Sequence, residues 1–340
     1  MSDFSPKERL LRVLAGARVD RPPVICTGGM MNAAIVEVMR DTGHTLPEAH
    51  HDPRLMADLA DDVRSHTGFE NLGIPFCMTV EAELLGSGID FGTLSCEPKI
   101  ANEIFPSASL VEYRCIPLML ESGRISTIVE AGHRLAKRNP DIPVIGNITG
   151  PISTSASIVD PVTFLKGLRK DRENSHRVLE YVSDLLIAFA RRLLDAGVTL
   201  ISIGDPTATG EILGPKMFEE YAVRYLNKVI NGIHAHGASV IVHICGNMKM
   251  VKSSIPKLRT DAISTDALVN LRLLKEEFPQ LTTMGNVSTF LLELGDPEKV
   301  ARHTESLVRD GIDIISPACG LSTSTKLSAI RAMTDTVKEQ

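Results

Sequence analysis

The sequence predicts an α/β fold, a (β/α)8 TIM barrel with N-terminal helical additions, built as one domain over residues 1–340. Two observations carry this. Short, nearly continuous apolar runs recur near positions 24, 72, 145, 201, 241, 264, 283 and 313, and helical periodicity fills the stretches between them. Runs apolar on both faces are those of a parallel sheet covered by helices. A third observation argues against the doubly wound alternative, since the chain has no GxGxxG phosphate loop.

Each element follows from its local chemistry. Residues 5–15 place Leu10, Leu11 and Leu14 on one side, as a surface helix does. Pro23 to Cys26 is a short strand ending in Thr27-Gly28-Gly29; helices are then expected over Met30 to Met39 and over 53–67. The apolar run at 70–80 is broken by Pro75, and 84–120, rich in Gly, Pro and Ser, is an irregular excursion from the repeat. Val144 to Ile148 is a strand, and a helix follows Asp160 with Pro161 in its first turn. An amphipathic helix over 173–196 closes at Gly197 before the strand Leu200 to Ile203. A helix over about 215–236 leads to the strand Val240 to Ile244. Weaker strands are expected at Ala262–Thr265, Leu281–Met284 and Ile312–Ile315, with a last helix over about 324–338.

Composition excludes several classes. The chain carries 36 basic and 42 acidic residues with no basic stripe, so it has no electrostatic footprint for nucleic acid. No apolar run reaches the roughly 20 residues of a membrane span, and the amino terminus lacks a signal core. A cytoplasmic location is expected, with no membrane partner. Six dispersed cysteines without a CxxC pair read as reduced thiols. The absence of tryptophan weakens any reading based on aromatic stacking.

Chemistry concentrates in Val242-His243-Ile244-Cys245-Gly246-Asn247 at the end of a buried strand. Residues i and i+2 of a strand share a side, so His243 and Cys245 face one volume. Cys319 follows the last strand in Ser316-Pro317-Ala318-Cys319-Gly320, and strand ends converge at a barrel mouth. One nitrogen and two sulfurs suit zinc with a fourth position open; a hydrogen-bonded histidine beside two buried cysteines is the bland alternative. Two thiolates cancel the ion's charge and make it a poor activator of water, yet it still lowers the pKa of an arriving thiol. Such a sulfur suits attack on a soft methyl group.

Other candidates stand at the same face. Asp205 is either an orienting or metal-binding carboxylate or a helix cap, and Asp266 either orients a ligand or serves its turn. Glu83 is a candidate fourth ligand; Glu81 and Glu83 share a side if extended and oppose one another if helical. Asn147 and Asn286, each after a glycine, are candidates for holding a polar tail, or else brace turns. Met30 and Met31 are candidates for an adaptable wall against a large cofactor, or core. His50-His51 and His234-x-His236 read as turn and helix-end residues.

The course from Pro22-Pro23-Val24 through Gly197-Val198-Thr199 and His243-Ile244-Cys245-Gly246-Asn247 to Gly285-Asn286-Val287 resembles the uroporphyrinogen decarboxylase superfamily. Its HxC segment with Cys319-Gly320 resembles the zinc-dependent methylcobamide:coenzyme M methyltransferase branch. That resemblance implies zinc on His243, Cys245 and Cys319, and a methylcobamide carried by a partner corrinoid protein. The implied acceptor is a small thiol such as coenzyme M. Gly28-Gly29-Met30-Met31-Asn32 stands where the decarboxylases need basic residues, which argues against decarboxylation. The alternatives are a methyl donor:corrinoid protein methyltransferase of the O-demethylase type and a module with a closed structural zinc.

Overall fold

The computed structural model describes residues 4–121 and 123–340. Six strands form one parallel sheet: β1 (Leu72–Ile74), β4 (Val144–Thr149), β5 (Leu200–Gly204), β6 (Val240–Ile244), β7 (Ala262–Thr265) and β8 (Thr283–Met284), paired in that order. Two shorter segments close the ring. Ile314 accepts from Gly285 N and donates to Thr283 O beside β8, while Ile25 N reaches Ile315 O at 3.0 Å. Glu70 N donates to Val24 O, and the Asn71 amide exchanges hydrogen bonds with the backbone of Cys26, so the first segment meets β1. Eight strand positions therefore encircle one interior, as expected, although two of them are only bridges.

Register decides what faces that interior. Asn147 pairs with Ser202, Thr149 with Gly204, Gly204 with His243, and His243 with Ser264. Paired residues of parallel strands project to the same side, so Thr149, Gly204, His243 and Ser264 form one interior layer, with Asn147 and Ser202 in the layer below it.

The helices obey their caps. Asp52 accepts from Arg54 N and Leu55 N to start Pro53–Thr67, which stops at Gly68 in the left-handed region. Asp160 caps Pro161–Lys170 through Thr163 N. Helix Arg172–Asp195 buries Val178, Leu179, Val182, Leu185, Leu186 and Phe189 on one stripe. Burying side chains of this size stabilises by roughly 1.5–3 kcal/mol each before chain entropy is counted.

Three expectations change. The helix expected over Met30–Met39 is confined to Val36–Thr42, because Gly28 and Met31 exchange backbone hydrogen bonds across a tight turn. Gly28 and Gly29 hold φ of +99° and +59°, which helical periodicity does not reveal. The helix expected over 215–236 divides into Gly210–Met217, a wider π turn over Phe218–Val223, and Arg224–His234. Gly214, at φ +67° before Pro215, breaks its first part. The excursion at 84–120 contains an antiparallel hairpin of β2 (Gly88–Asp90) and β3 (Lys99–Asn102) and a short helix, Ile116–Met119. Among the described residues, no helix is long and apolar enough to cross a membrane.

Candidate metal centre at the barrel mouth

Strand β6 delivers His243 with its side chain inside the barrel, and Cys245 follows just past the strand's end. Gly246, at φ +74°, turns the chain away. Cys319 arrives from the far side of the ring, beyond the closing segment. His243 Nε2 lies 3.1 Å from Cys245 Sγ, and the two sulfurs are 3.3 Å apart. All three donor atoms fall within 4.8 Å of one another, and among the described residues no other His, Cys, Asp or Glu group of this kind forms. His243 is buried, whereas both cysteines are partly exposed to the mouth.

The surroundings prepare these groups. His243 Nδ1 is 2.9 Å from Ser264 Oγ, the neighbour set by register. With Nδ1 as donor, Nε2 keeps its lone pair facing the sulfurs. The sulfur–sulfur hydrogen bond splits the thiols, drawing Cys319 below the ordinary thiol range and pushing Cys245 above it. Desolvation raises both, and His243 further lowers Cys319. Asp266 and Asp205 add their negative charge against ionisation of Cys245.

Tetrahedral zinc with bonds of about 2.3 Å to sulfur and about 2.0 Å to nitrogen spaces its ligand atoms roughly 3.5–3.8 Å apart. The observed spacings need to open only slightly, and the set is one such an ion accepts. The three donors fit.

Glu83, the candidate fourth ligand, lies outside this group. Residues Val80–Leu85 are helical, so Glu81 and Glu83 diverge. Glu83 pairs with Arg124, a buried guanidinium that also donates to Thr79 Oγ1 at 2.8 Å and Cys77 Sγ at 3.2 Å. A carboxylate compensating a buried cation is not free for a distant ion. Glu81 turns inward, accepting from Thr149 N at 2.8 Å and Thr149 Oγ1 at 2.9 Å; desolvation pushes it up to about 7.

Asp205 takes its capping role. It is fully buried and accepts from Ile152 N (3.0 Å), Ser153 N (2.8 Å) and Ser153 Oγ (2.6 Å) at the start of helix Pro151–Ile158. Desolvation raises it to about 6 against those hydrogen bonds. Asp266 serves its turn, accepting from Leu268 N, besides bearing on Cys245.

The methionines divide. Met30, at the tip of the glycine turn, sets its Sδ 4.0 Å from Cys245 Sγ, while Met31 is buried with its sulfur 4.0 Å from Ser264 Oγ. Asn147 is buried against Gly29, where a Cβ would come within 2.0 Å of its Oδ1. Asn286 spends its Nδ2 on Asp266 O and Val269 O, bracing the loop after β7. His234 and His236 pair with Asp261 and Asp195 away from the mouth. Sequence reasoning missed Ser264; the period-2 pattern of 262–265 carried the signal, since it puts Ser264 on the His243 side.

Comparison with known proteins agrees with this geometry. The family model described as uroporphyrinogen decarboxylase (URO-D) matches residues 5–340. A methylcobamide:CoM methyltransferase MtbA of Methanosarcina acetivorans is 32% identical over 99% of this chain and 99% of its own. A methylcobamide:CoM methyltransferase MtaA of Methanosarcina barkeri is 28% identical over 98% and 97%. A solved methyltransferase from Methanosarcina mazei superposes with a TM-score of 0.92 at 28% identity, covering 99% of both chains. The barrel, its strand-end donors and these matches place the chain in the uroporphyrinogen decarboxylase family.

Proposed function

We propose that the chain, acting as one domain, is a zinc-dependent methyltransferase that moves a methyl group from a methylated corrinoid protein to a small thiol such as coenzyme M. The observation that carries the reading is the meeting of His243 Nε2, Cys245 Sγ and Cys319 Sγ within 4.8 Å at a mouth that leaves both sulfurs partly exposed. The names of the relatives supply the substrates. A cytoplasmic location, with neither nucleic acid nor membrane as partner, accords with the charge balance.

Zinc on these three residues would lower the pKa of an arriving thiol, ordinarily about 8.5, so that the sulfur stands ready as a thiolate. The protein's part is arrangement. Ser264 holds the His243 ring in one tautomer and orientation. Cys245 and Cys319 supply two negative charges, so the site favours a soft sulfur nucleophile over hydroxide. Met30 gives Cys245 an apolar, polarisable neighbour. Asn147 offers an amide one interior layer below His243, where a polar tail can be held. In the overall transfer the thiolate forms a carbon–sulfur bond, the cobalt–carbon bond breaks, and its electron pair stays on cobalt, taking Co(III) to Co(I).

Among the described residues only three protein donors gather, with Glu83 engaged elsewhere, which favours an open position over a closed structural zinc. The test combines purified zinc-loaded chain, methylcobalamin and 2-mercaptoethanesulfonate. Methyl-thioether should form, and Cys245→Ala and Cys319→Ala should lose zinc and activity together. Unchanged metal content in both variants refutes the assignment.

A further inference from the structure

Resting on the proposed transfer, the acceptor must bring its sulfur to the open position beside Cys245 and Cys319. A sulfur on tetrahedral zinc stands about 3.8 Å from each of the other two sulfurs. One side chain already lies at that range: Met30 Sδ is 4.0 Å from Cys245 Sγ. Met30 leans on the loop of Cys319 as well, since a Cβ on Gly320 would come within 2.8 Å of Met30 O and 3.3 Å of Met30 Cγ. Half-buried itself, Met30 thus stands against Cys245 on one side and against the neighbour of Cys319 on the other.

The backbone that carries Met30 is pinned. Gly28 and Met31 close the turn with two hydrogen bonds of 2.9 Å, Gly29 N donates to Pro75 O at 2.7 Å, and Asn32 Nδ2 donates to Gly29 O at 3.0 Å. Gly29 packs on Asn147 and Gly28 on the backbone of Gly73, with no room for a Cβ at either. Movement is therefore left to the Met30 side chain and its three rotatable bonds.

We infer that Met30 is the specificity-determining residue for the acceptor: its side chain limits the open position to a thiol whose sulfur sits on an unbranched carbon. An incoming sulfur either takes the place of Met30 Sδ or lies against it. In both cases the carbon next to that sulfur meets the Met30 chain. A methylene passes by a change of Met30 rotamer, whereas a branch at that carbon requires the pinned turn to move. One methylene in a close apolar site changes selectivity about 10–200-fold.

The test compares 2-mercaptoethanesulfonate with 2-mercaptopropane-1-sulfonate, which keeps the tail and adds one methyl on the carbon bearing sulfur. Each is methylated from methylcobalamin by the zinc-loaded enzyme, by Met30→Ala and by Met30→Leu. Comparing the ratio of the two kcat/KM values between proteins cancels the intrinsic difference between the thiols. Met30→Ala should shift that ratio towards the branched thiol by about 10-fold or more, with zinc content unchanged. Met30→Leu conserves volume and should keep the ratio of unaltered enzyme. An unshifted ratio in Met30→Ala overturns the assignment. So does a ratio relaxed equally in both variants, which would trace the effect to the thioether rather than to size.

A second measurement needs neither variant nor turnover. With Co(II) in place of zinc in unaltered enzyme, the sulfur-to-cobalt charge-transfer band grows as a thiol binds. Titration should show the unbranched thiol binding about 10-fold tighter or more, and equal binding overturns the role of Met30. Failure of unaltered enzyme to methylate an unbranched thiol that does bind would instead overturn the proposed transfer.

Discussion

Glu83→Gln separates a metal ligand from a counter-ion. The substitution keeps the shape of the side chain and removes its charge. Arg124 is almost wholly buried, with 3% of its side chain exposed, and would lose its compensating charge while keeping Thr79, Cys77 and the Phe91 ring as neighbours. Removing one member of a fully buried pair costs about 3–5 kcal/mol. The Glu83 side chain is 30% exposed, so water already screens part of the attraction and about 1–3 kcal/mol is the better figure. For a chain of 340 residues the unfolding entropy is roughly 0.7 kcal/mol per kelvin, so Tm should drop by about 1.5–4 °C. Calorimetry reads this drop, while competition with a chromophoric chelator reads zinc affinity in the same protein. Affinity should be unchanged. A tenfold weakening of zinc with Tm unmoved would refute the reasoning and return Glu83 to the metal.

Two further substitutions probe the support around the site. Ser264→Ala removes the partner of His243 Nδ1 and should weaken zinc about 10–100-fold with little loss of global stability, measured by the same chelator competition. Asp205→Asn tests a buried charge through pH. The folded value of about 6 lies above the ordinary 3.8, so the stability contribution of this group is present below about pH 4 and is lost as pH rises through about 6. Integrated over the shift, this is about 3 kcal/mol. In urea titrations the variant should be clearly weaker than the parent at pH 4, having lost an acceptor for Ile152 N or Ser153 N, and the gap should narrow by that amount at pH 8. A gap independent of pH would contradict a raised Asp205.

The barrel was legible because its strands advertise themselves. Val240–Ile244 and Ala262–Thr265 are apolar enough, and bounded sharply enough by Gly and Asp, that their limits in the sequence are those of the structure. What escaped notice was backbone conformation. The Gly28–Met31 turn looks helical by composition, since Met, Ala and Ile are compatible with a helix, and only its two positive φ values forbid one. Gly214-Pro215 hides in a helical period for the same reason: hydrophobic spacing records which face is buried and says nothing of a break that keeps the face in phase.

The site was legible in proportion to how much of it lies on strands. An i, i+2 pair at a strand end fixes where two side chains go before any tertiary contact is known, so His243 and Cys245 could be placed together from spacing alone. Cys319 could be added because a barrel brings strand ends to one rim. Glu83 could not be placed, because at 70–85 the chain leaves a strand and enters a helix, and one change of period reverses the face on which a carboxylate lies. The feature that then decided its role, Arg124, lies 41 residues away at the start of another helix. The hairpin Gly88–Asn102 was further from view, since its sequence shows neither strand alternation nor helical period. Residues set by strand geometry are therefore found from sequence, whereas residues whose chemistry depends on a partner from another loop are found only when that loop is folded.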